Sequence, residues 1–275
     1  MRITKYLNKS LISLIVSTII FYSCNSDLNE AIYKLKFPKE TDIIFSNKIV
    51  ETDEFNILSY NNMYMGGGVS IGDINNDELP DIFLTANQEP NRLFLNKGDL
   101  QFEDITESSG ISEDNGDKIW TTGTTMVDIN HDGFLDIYVC MIDGYMNLKG
   151  KNKLYINQGN NTFIESAANY GLDISAYAHQ AAFFDYDIDG DLDMFLVNQA
   201  MNTPLSYRSG KIREKRDNKA GDLLFKNEGG KFIDVSEEAG IYGGPNGYGL
   251  ALSISDINND GYPDIYVSND FHEND

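Results

Sequence analysis

Cysteine and basic residues are scarce in this chain of 275 residues. With only two cysteines, Cys24 and Cys140, no framework of disulfides can form. Cys140 lies in a predicted buried strand, where a free thiol behaves as a small apolar side chain. Lysine and arginine number 21 against 43 acidic residues, which gives a formal charge of −22. Because binding to nucleic-acid phosphates needs a basic surface, we expect no nucleic-acid partner.

Long apolar runs and catalytic signatures are also lacking. The apolar run 11–22 spans twelve residues. As a helix it would be about 18 Å long, shorter than the ~30 Å hydrocarbon core of a bilayer. No nucleophile elbow, zinc motif or phosphate-binding loop is present. His131, His179 and His272 are the only histidines. We therefore expect a protein that is not an enzyme.

The N-terminus has the pattern of a cleaved signal: three basic residues, the apolar run and then a cysteine. Phe21-Tyr-Ser-Cys24 resembles a bacterial lipobox, with Tyr22 at a place where a small residue is usual. We predict that residues 1–23 are a lipoprotein signal peptide, that Cys24 is lipidated and that residues 24–60 form a tether and N-terminal segment. Lipid on Cys24 would hold the chain at the bacterial envelope, on the outer membrane, facing the periplasm or the cell surface.

An acidic loop of nine residues recurs four times. Each copy has Asp at positions 1, 5 and 9 and Asn or Asp at position 3. Side chains 1, 3 and 5 can converge on one point, and a sharp turn at position 6, usually glycine, returns position 9 to it. Such clustered carboxylates repel one another unless a cation neutralises them, and an all-oxygen ligand set suits calcium. The predicted Ca²⁺ ligands are Asp73, Asn75, Asp77, Asp81, Asp128, Asn130, Asp132, Asp136, Asp185, Asp187, Asp189, Asp193, Asp256, Asn258, Asp260 and Asp264.

The loops are not EF-hands. Position 12 is apolar rather than Glu, and a β-branched and aromatic run follows each loop, which predicts a strand rather than a helix. Position 7 varies among Leu79, Phe134, Asp191 and Tyr262, so we expect it to offer its backbone carbonyl. In the first loop Glu78 replaces the glycine, which predicts a strained turn there.

Each loop lies within a longer repeat. A Gly-rich apolar strand precedes it, a second strand follows, and a hairpin such as 92–106 comes next, with Asn and Gly near its turn. The first aspartates are 55, 57 and 71 residues apart, and the longest interval contains an insertion at 201–221. Four antiparallel strands per repeat predict an all-β fold, a β-propeller with three complete blades and one partial blade in residues 61–275. Earlier in the chain, 42–45 and 55–60 could each be a strand.

The loops and their flanking strands resemble the FG-GAP/VCBS repeats of integrin-α-type propellers, which bind calcium in such loops. Leu93-Phe-Leu-Asn-Lys-Gly98 and Asp264-Ile-Tyr-Val-Ser-Asn-Asp-Phe271 are closer still to bacterial VCBS-repeat proteins of the CRTAC/ASPIC-UnbV type. The resemblance covers about residues 61–275. It implies a seven-bladed propeller, of which this chain would be the N-terminal part.

These observations predict a monomeric, calcium-binding propeller that is anchored to a membrane by lipid only and binds a protein or a glycan. An assembly or adhesion role is one form of this function, on the integrin analogy. The alternative is a calcium-dependent polysaccharide-active enzyme, a lyase or a hydrolase, since propellers also host such chemistry. The fold class by itself does not decide between them.

Overall fold

A computed structural model of the chain describes residues 33–111, 119–201 and 215–270. The predicted signal peptide, Cys24, most of the insertion and His272 lie outside the described residues. The lipid anchor therefore stays a prediction from the sequence.

The chain divides into two compact units, Met1–Phe37 and Pro38–Asp275. In the first unit the described residues, 33–37, contain no helix or strand. In the second unit the described helices are two single turns, α1 (Pro38–Thr41) and α2 (Ala167–Tyr170). No described helix has the length and apolar content needed to cross a bilayer.

Fourteen strands in the described part of the second unit form four antiparallel sheets, in each of which neighbouring strands follow chain order. The first sheet contains β1 (Val69–Gly72), β2 (Asp81–Leu84), β3 (Arg92–Asn96) and β4 (Phe102–Asp104). The second contains β5 (Thr121–Val127), β6 (Asp136–Met141), β7 (Lys153–Asn157) and β8 (Phe163–Glu165). The third contains β9 (Ala178–Phe184), β10 (Asp193–Asn198), β11 (Leu223–Asn227) and β12 (Phe232–Asp234). The fourth contains β13 (Gly249–Ser255) and β14 (Asp264–Asn269).

Neighbouring sheets share hydrophobic cores because their middle strands are apolar on both faces. On β6 every residue is buried. Ile137 and Val139 join the core between the first and second sheets, whereas Tyr138 and Cys140 join the core between the second and third. This alternation is the two-residue period of a strand that is covered on both sides. The free thiol of Cys140 is thus an apolar core group, as predicted.

The first strands of successive sheets approach each other closely, which explains their small residues. A Cβ on Gly123 would lie 2.3 Å from the carbonyl oxygen of His179, a contact that side chains do not make. The Gly68 N–H donates to the Thr122 carbonyl at 2.9 Å, and the Thr122 hydroxyl donates to the Ala178 carbonyl at 2.7 Å. Hydrogen bonds at or directly before the first strands therefore connect three successive sheets.

The predicted fold class is confirmed: three four-stranded sheets and one two-stranded sheet form the blades of a partial β-propeller. The segments 42–45 and 55–60 are not strands, so that prediction was wrong. The apolar pattern of 55–60 instead reflects an aromatic cluster, in which Phe55 and Tyr60 contact Trp120 with ring centroids 5.3 and 5.2 Å away. His179 lies within β9.

Candidate metal-binding loops

Each acidic loop connects the first two strands of its sheet. Position 9 is the first residue of the second strand, and it pairs with the residue directly before position 1. The four closing pairs are Gly72 with Asp81, Val127 with Asp136, Phe184 with Asp193 and Ser255 with Asp264. The sheets therefore impose the same span and the same register on all four loops.

The position 1 carboxylate folds the loop around itself. One of its oxygens accepts the N–H of position 5 at 3.0–3.2 Å. The other oxygen accepts the N–H of position 6 at 2.7–2.9 Å. The position 5 carboxylate in turn accepts the N–H of position 7 at 2.9–3.0 Å. These bonds occur in all four loops and hold positions 1 and 5 in one arrangement.

The position 9 carboxylate is part of the frame of the sheet. Asp81, Asp136 and Asp193 have no exposed surface. In each, one oxygen accepts the N–H of position 2 at 3.0–3.1 Å, and the other accepts the N–H of the last residue of the third strand at 2.7–2.8 Å. Burial raises the pKa of Asp136 to about 6, although these N–H groups act in the opposite direction. Burial also raises the pKa values of Asp81 and Asp193.

The asparagine at the end of each third strand fixes the loop from the other side, a role that the sequence analysis missed. Asn96, Asn157 and Asn227 donate their side-chain amides to the position 8 carbonyl at 2.9, 3.1 and 3.1 Å. Their side-chain oxygens accept N–H groups from the hairpin turn, as a turn residue does. The sequence contained this signal as an Asn at the same place in each of the three repeats with a hairpin, but we assigned it only the turn role.

Two positions in each loop have left-handed backbone. Position 6 has φ of +68° at Glu78, against +88°, +97° and +91° at the three glycines. The expected strain at Glu78 is therefore present in the backbone. Position 4 is also left-handed, at +57° to +61°, and this was not predicted. Its residues are Asn76, His131, Ile188 and Asn259. Ile188 is the unfavourable one, because a β-branched side chain clashes in this conformation.

The third loop differs from the others in its side-chain contacts. In the first, second and fourth loops the position 3 Asn donates its amide to the position 5 carboxylate at 2.9–3.0 Å. In the third loop, position 3 is Asp187, which has no such donor. The Lys226 ammonium instead donates to Asp187 and lies 3.6 Å from Asp189. This contact lowers the pKa of Asp187 and raises that of Lys226.

The donor atoms of the third loop fit a hard divalent cation. Asp185, Asp187 and Asp193 each place a carboxylate oxygen within 4.8 Å of the others. Among the residues that the structure describes, this is the one group of three or more acidic, histidine or cysteine side chains with that spacing. A second oxygen of Asp187 is buried and has no hydrogen-bond partner. Oxygen donors at this spacing are those that calcium takes. The ligand assignments in all four loops stay predictions.

A polar cluster outside the loops has the residue types of a catalytic group but the wrong arrangement. The Lys219 ammonium donates to Ser175 and lies 3.0 Å from Asp143, and Ser175 also donates to Asp143. An ammonium in this ion pair has no lone pair with which to accept a proton from Ser175. Burial acts to raise the pKa of Asp143, but Ser175 and Lys219 outweigh it and lower that pKa. The cluster thus connects the segments around the second and third sheets.

Fold and loops together define a β-propeller-type repeat protein with acidic loops between the first two strands of its blades. Residues 66–139, which include the first and second loops, match the family model described as an FG-GAP-like repeat. The chain therefore carries an FG-GAP-like repeat, in agreement with the resemblance seen in its sequence.

The chain is also similar to cartilage acidic protein 1. Identity to the Xenopus tropicalis protein is 30% over 214 residues, which covers 75% of this chain and 29% of the relative. Identity to the Homo sapiens protein is 27% over 208 residues, covering 74% of this chain and 28% of the relative. A T-cell immunomodulatory protein homolog of Plasmodium yoelii yoelii is 26% identical over 245 residues, covering 71% of this chain and 33% of that protein. The chain spans about a third or less of the length of these relatives.

Proposed function

We propose that this chain is a monomeric, calcium-stabilised β-propeller module that binds a protein or a glycan and catalyses no reaction. The observation that carries the proposal is repetition. Four loops with one shared set of backbone-to-carboxylate hydrogen bonds occupy the same place in four successive sheets. Conservation of one arrangement within a chain is expected when each copy holds the same ligand. Similarity to FG-GAP-like repeats supports the same conclusion.

The loop residues would act by holding oxygens in place before an ion arrives. Positions 1 and 5 are fixed by the N–H groups of the loop, and position 9 is fixed by the second and third strands. Calcium, when bound, would supply the positive charge that cancels repulsion among these carboxylates. Because position 9 belongs to the sheet, that stabilisation would reach the blade as well as the loop.

Thermal melting with and without calcium tests the structural part of this proposal. At a free calcium concentration of 100 times Kd, one site stabilises the folded state by about 2.7 kcal/mol. For a domain of this size the melting midpoint should then rise by about 5–10 °C above its value in EDTA. Asp128→Asn and Asp256→Asn should each reduce that rise. Glu237→Gln, which removes one exposed charge outside the loops, should not. An equal midpoint in EDTA and in millimolar calcium would remove calcium from the proposal.

Binding and catalysis are separated by two assays on the same preparation. If the ligand is a glycan, a glycan array should retain the labelled chain in calcium but not in EDTA. If the ligand is a protein, the labelled chain should bind envelope fractions in calcium only. Incubation with the retained glycans should release no shorter products. A fall in polymer length or the appearance of unsaturated ends would favour the lyase or hydrolase alternative instead.

The envelope anchor is proposed from Cys24 and is tested in cells. Wild-type chain expressed in a bacterium should incorporate labelled palmitate and sediment with membranes. Cys24→Ser should do neither, while keeping the melting midpoint of the folded part. Labelling of the Cys24→Ser variant to the wild-type level would contradict the assignment.

A further inference from the structure

The third loop carries more negative charge than its counterparts. Its positions 3 and 7 are Asp187 and Asp191, so it has five carboxylates, whereas the second and fourth loops have three. The amide that bridges positions 3 and 5 in the other loops is also missing. The loop nevertheless keeps the same backbone hydrogen bonds, at 3.1 Å to Asp189 N–H and 2.9 Å to Gly190 N–H. Some other group must therefore compensate for the added charge.

Lys226 lies close enough to positions 3 and 5 to replace the contact that the Asn amide makes in the other loops. Its ammonium donates to Asp187 and lies 3.6 Å from Asp189, so it bridges positions 3 and 5 as the Asn amide does elsewhere. The side chain is 29% exposed, and that of Asp187 is 24% exposed. A charge pair with this degree of burial is screened by water less than a fully exposed pair.

Among the three sheets whose third strand is described, the third is the one with a lysine in this register. Lys226 directly precedes Asn227, which reaches the loop from the end of the third strand. The residues in the same register of the first and second sheets are Leu95 and Ile156, which pack with the hydrophobic cores. In the first and second sheets, where position 3 of the loop is Asn, this strand position is apolar. Where position 3 is Asp, it is a lysine. The two changes occur together and meet in space.

We propose that Lys226 is the built-in counter-cation of the third loop, which closes that loop without a metal ion and competes with calcium for its carboxylates. The inference rests on the proposed calcium binding. An ion that contacts Asp187 and Asp189 must displace the ammonium or share their oxygens with it, and two cations at this separation repel. The third loop should therefore bind calcium more weakly than its number of carboxylates suggests.

Glycine amides make the four loops separately observable. Selective ¹⁵N-glycine labelling of the chain gives one signal for position 6 in each of three loops, Gly133, Gly190 and Gly261, whose N–H groups bond to the position 1 carboxylates. Each is followed in a calcium titration buffered with EDTA. In Lys226→Leu, the midpoint of Gly190 should fall about tenfold in free calcium. The midpoints of Gly133 and Gly261 should stay within about twofold of wild type.

A double-mutant cycle in EDTA tests the metal-independent half of the proposal. Lys226→Leu should lower the melting midpoint, because Asp187 and Asp189 lose their counter-charge. Adding Asp187→Asn should restore much of the loss, because the new amide can donate to Asp189 as in the other loops. Lys226→Gln serves if the leucine variant does not fold, and it should move Gly190 in the same direction. Lys151→Leu is the matched control, since it breaks the exposed pair with Asp173 outside the loops.

The outcomes separate this inference from the proposed function. If Gly133 and Gly261 respond to calcium but Gly190 has the same midpoint in wild type and in Lys226→Leu, competition by Lys226 is wrong and calcium binding stands. If no loop glycine responds in any variant, calcium binding fails and competition fails with it. If Lys226→Leu melts as wild type does in EDTA, or if Asp187→Asn gives no recovery, Lys226 does not close the loop.

Discussion

Removal of the buried carboxylate at position 9 of the second loop should destabilise the protein even when no calcium is present. Asp136 has no exposed surface, and its two oxygens accept the N–H groups of Ile129 at 3.1 Å and of Asn157 at 2.8 Å. These bonds fasten the loop and the third strand to the start of the second strand. Asp136→Ala would leave both N–H groups buried without an acceptor.

The expected loss of stability in Asp136→Ala follows from the two N–H donors that lose their acceptor. A buried donor without a partner costs about 1–3 kcal/mol, so two of them cost ~2–6 kcal/mol. For a domain of this size, the melting midpoint should then fall by roughly 4–24 °C. Asp136→Asn keeps one acceptor oxygen and should cost about half as much. It also provides a folded variant if the alanine variant is too unstable to purify.

The contrast with position 5 of the same loop makes this prediction specific. Asp132 is exposed, and the N–H that it accepts, from Phe134 at 2.9 Å, can turn to water. In EDTA, Asp132→Ala should cost less than ~1 kcal/mol in urea unfolding, as a surface substitution does. In calcium the same variant should lose the ion-dependent stabilisation of its loop. Equal losses for Asp132→Ala and Asp136→Ala in EDTA would refute the assignment of a frame role to position 9.

Three further substitutions test other features of the fold. Ile188→Asn should stabilise the protein in EDTA by about 1 kcal/mol, because it relieves the strain of a β-branched residue with left-handed backbone, and Ile188 is 55% exposed. An unchanged urea midpoint would contradict this. Gly123→Ala should destabilise the protein by ~1–3 kcal/mol, because its Cβ would lie 2.3 Å from the His179 carbonyl oxygen and force two sheets apart. A urea midpoint equal to that of wild type would refute this close approach. Burial lowers the pKa of His179, so its contribution to stability is present above the unfolded pKa of about 6.5 and is lost as the pH falls below it. Between pH 7 and 5.5, wild type should therefore lose stability faster than His179→Gln, by at most about 1.4 kcal/mol per pH unit, and parallel pH profiles would exclude this role.

Local repetition made the blades predictable. The loops and the strands after them each consist of a few neighbouring residues and recur four times, and the Asn-containing hairpins recur three times. The segments 42–45 and 55–60 have no second copy, so their apolar residues could not be told from strands. In the structure, the aromatic rings of 55–60 pack against Trp120, far along the chain.

Contacts between distant residues account for what the sequence did not reveal in the loops. Lys226 lies 39 residues after Asp187, and only the pairing of strands brings them together. The burial of Asp136 depends likewise on the third strand, which supplies the N–H of Asn157. Position 4 is a different case. Its left-handed backbone follows from the closure of the loop, and the residues found there are of unlike type. The residue types at position 4 therefore did not predict the left-handed conformation.

Backbone hydrogen bonds and strand pairing hold the carboxylates of all four loops. In every loop, N–H groups hold the position 1 and position 5 carboxylates, and strand pairing fixes the distance from the residue before position 1 to position 9. The chain's own hydrogen bonds and strand pairing therefore contribute to the shape of each loop. The backbone hydrogen bonds do not cancel the negative charge of the carboxylates. In the first, second and fourth loops an Asn amide lies between positions 3 and 5, whereas in the third loop Lys226 does. Under the proposed function, calcium would cancel this remaining charge, and high salt in EDTA should therefore reproduce part of its effect on melting.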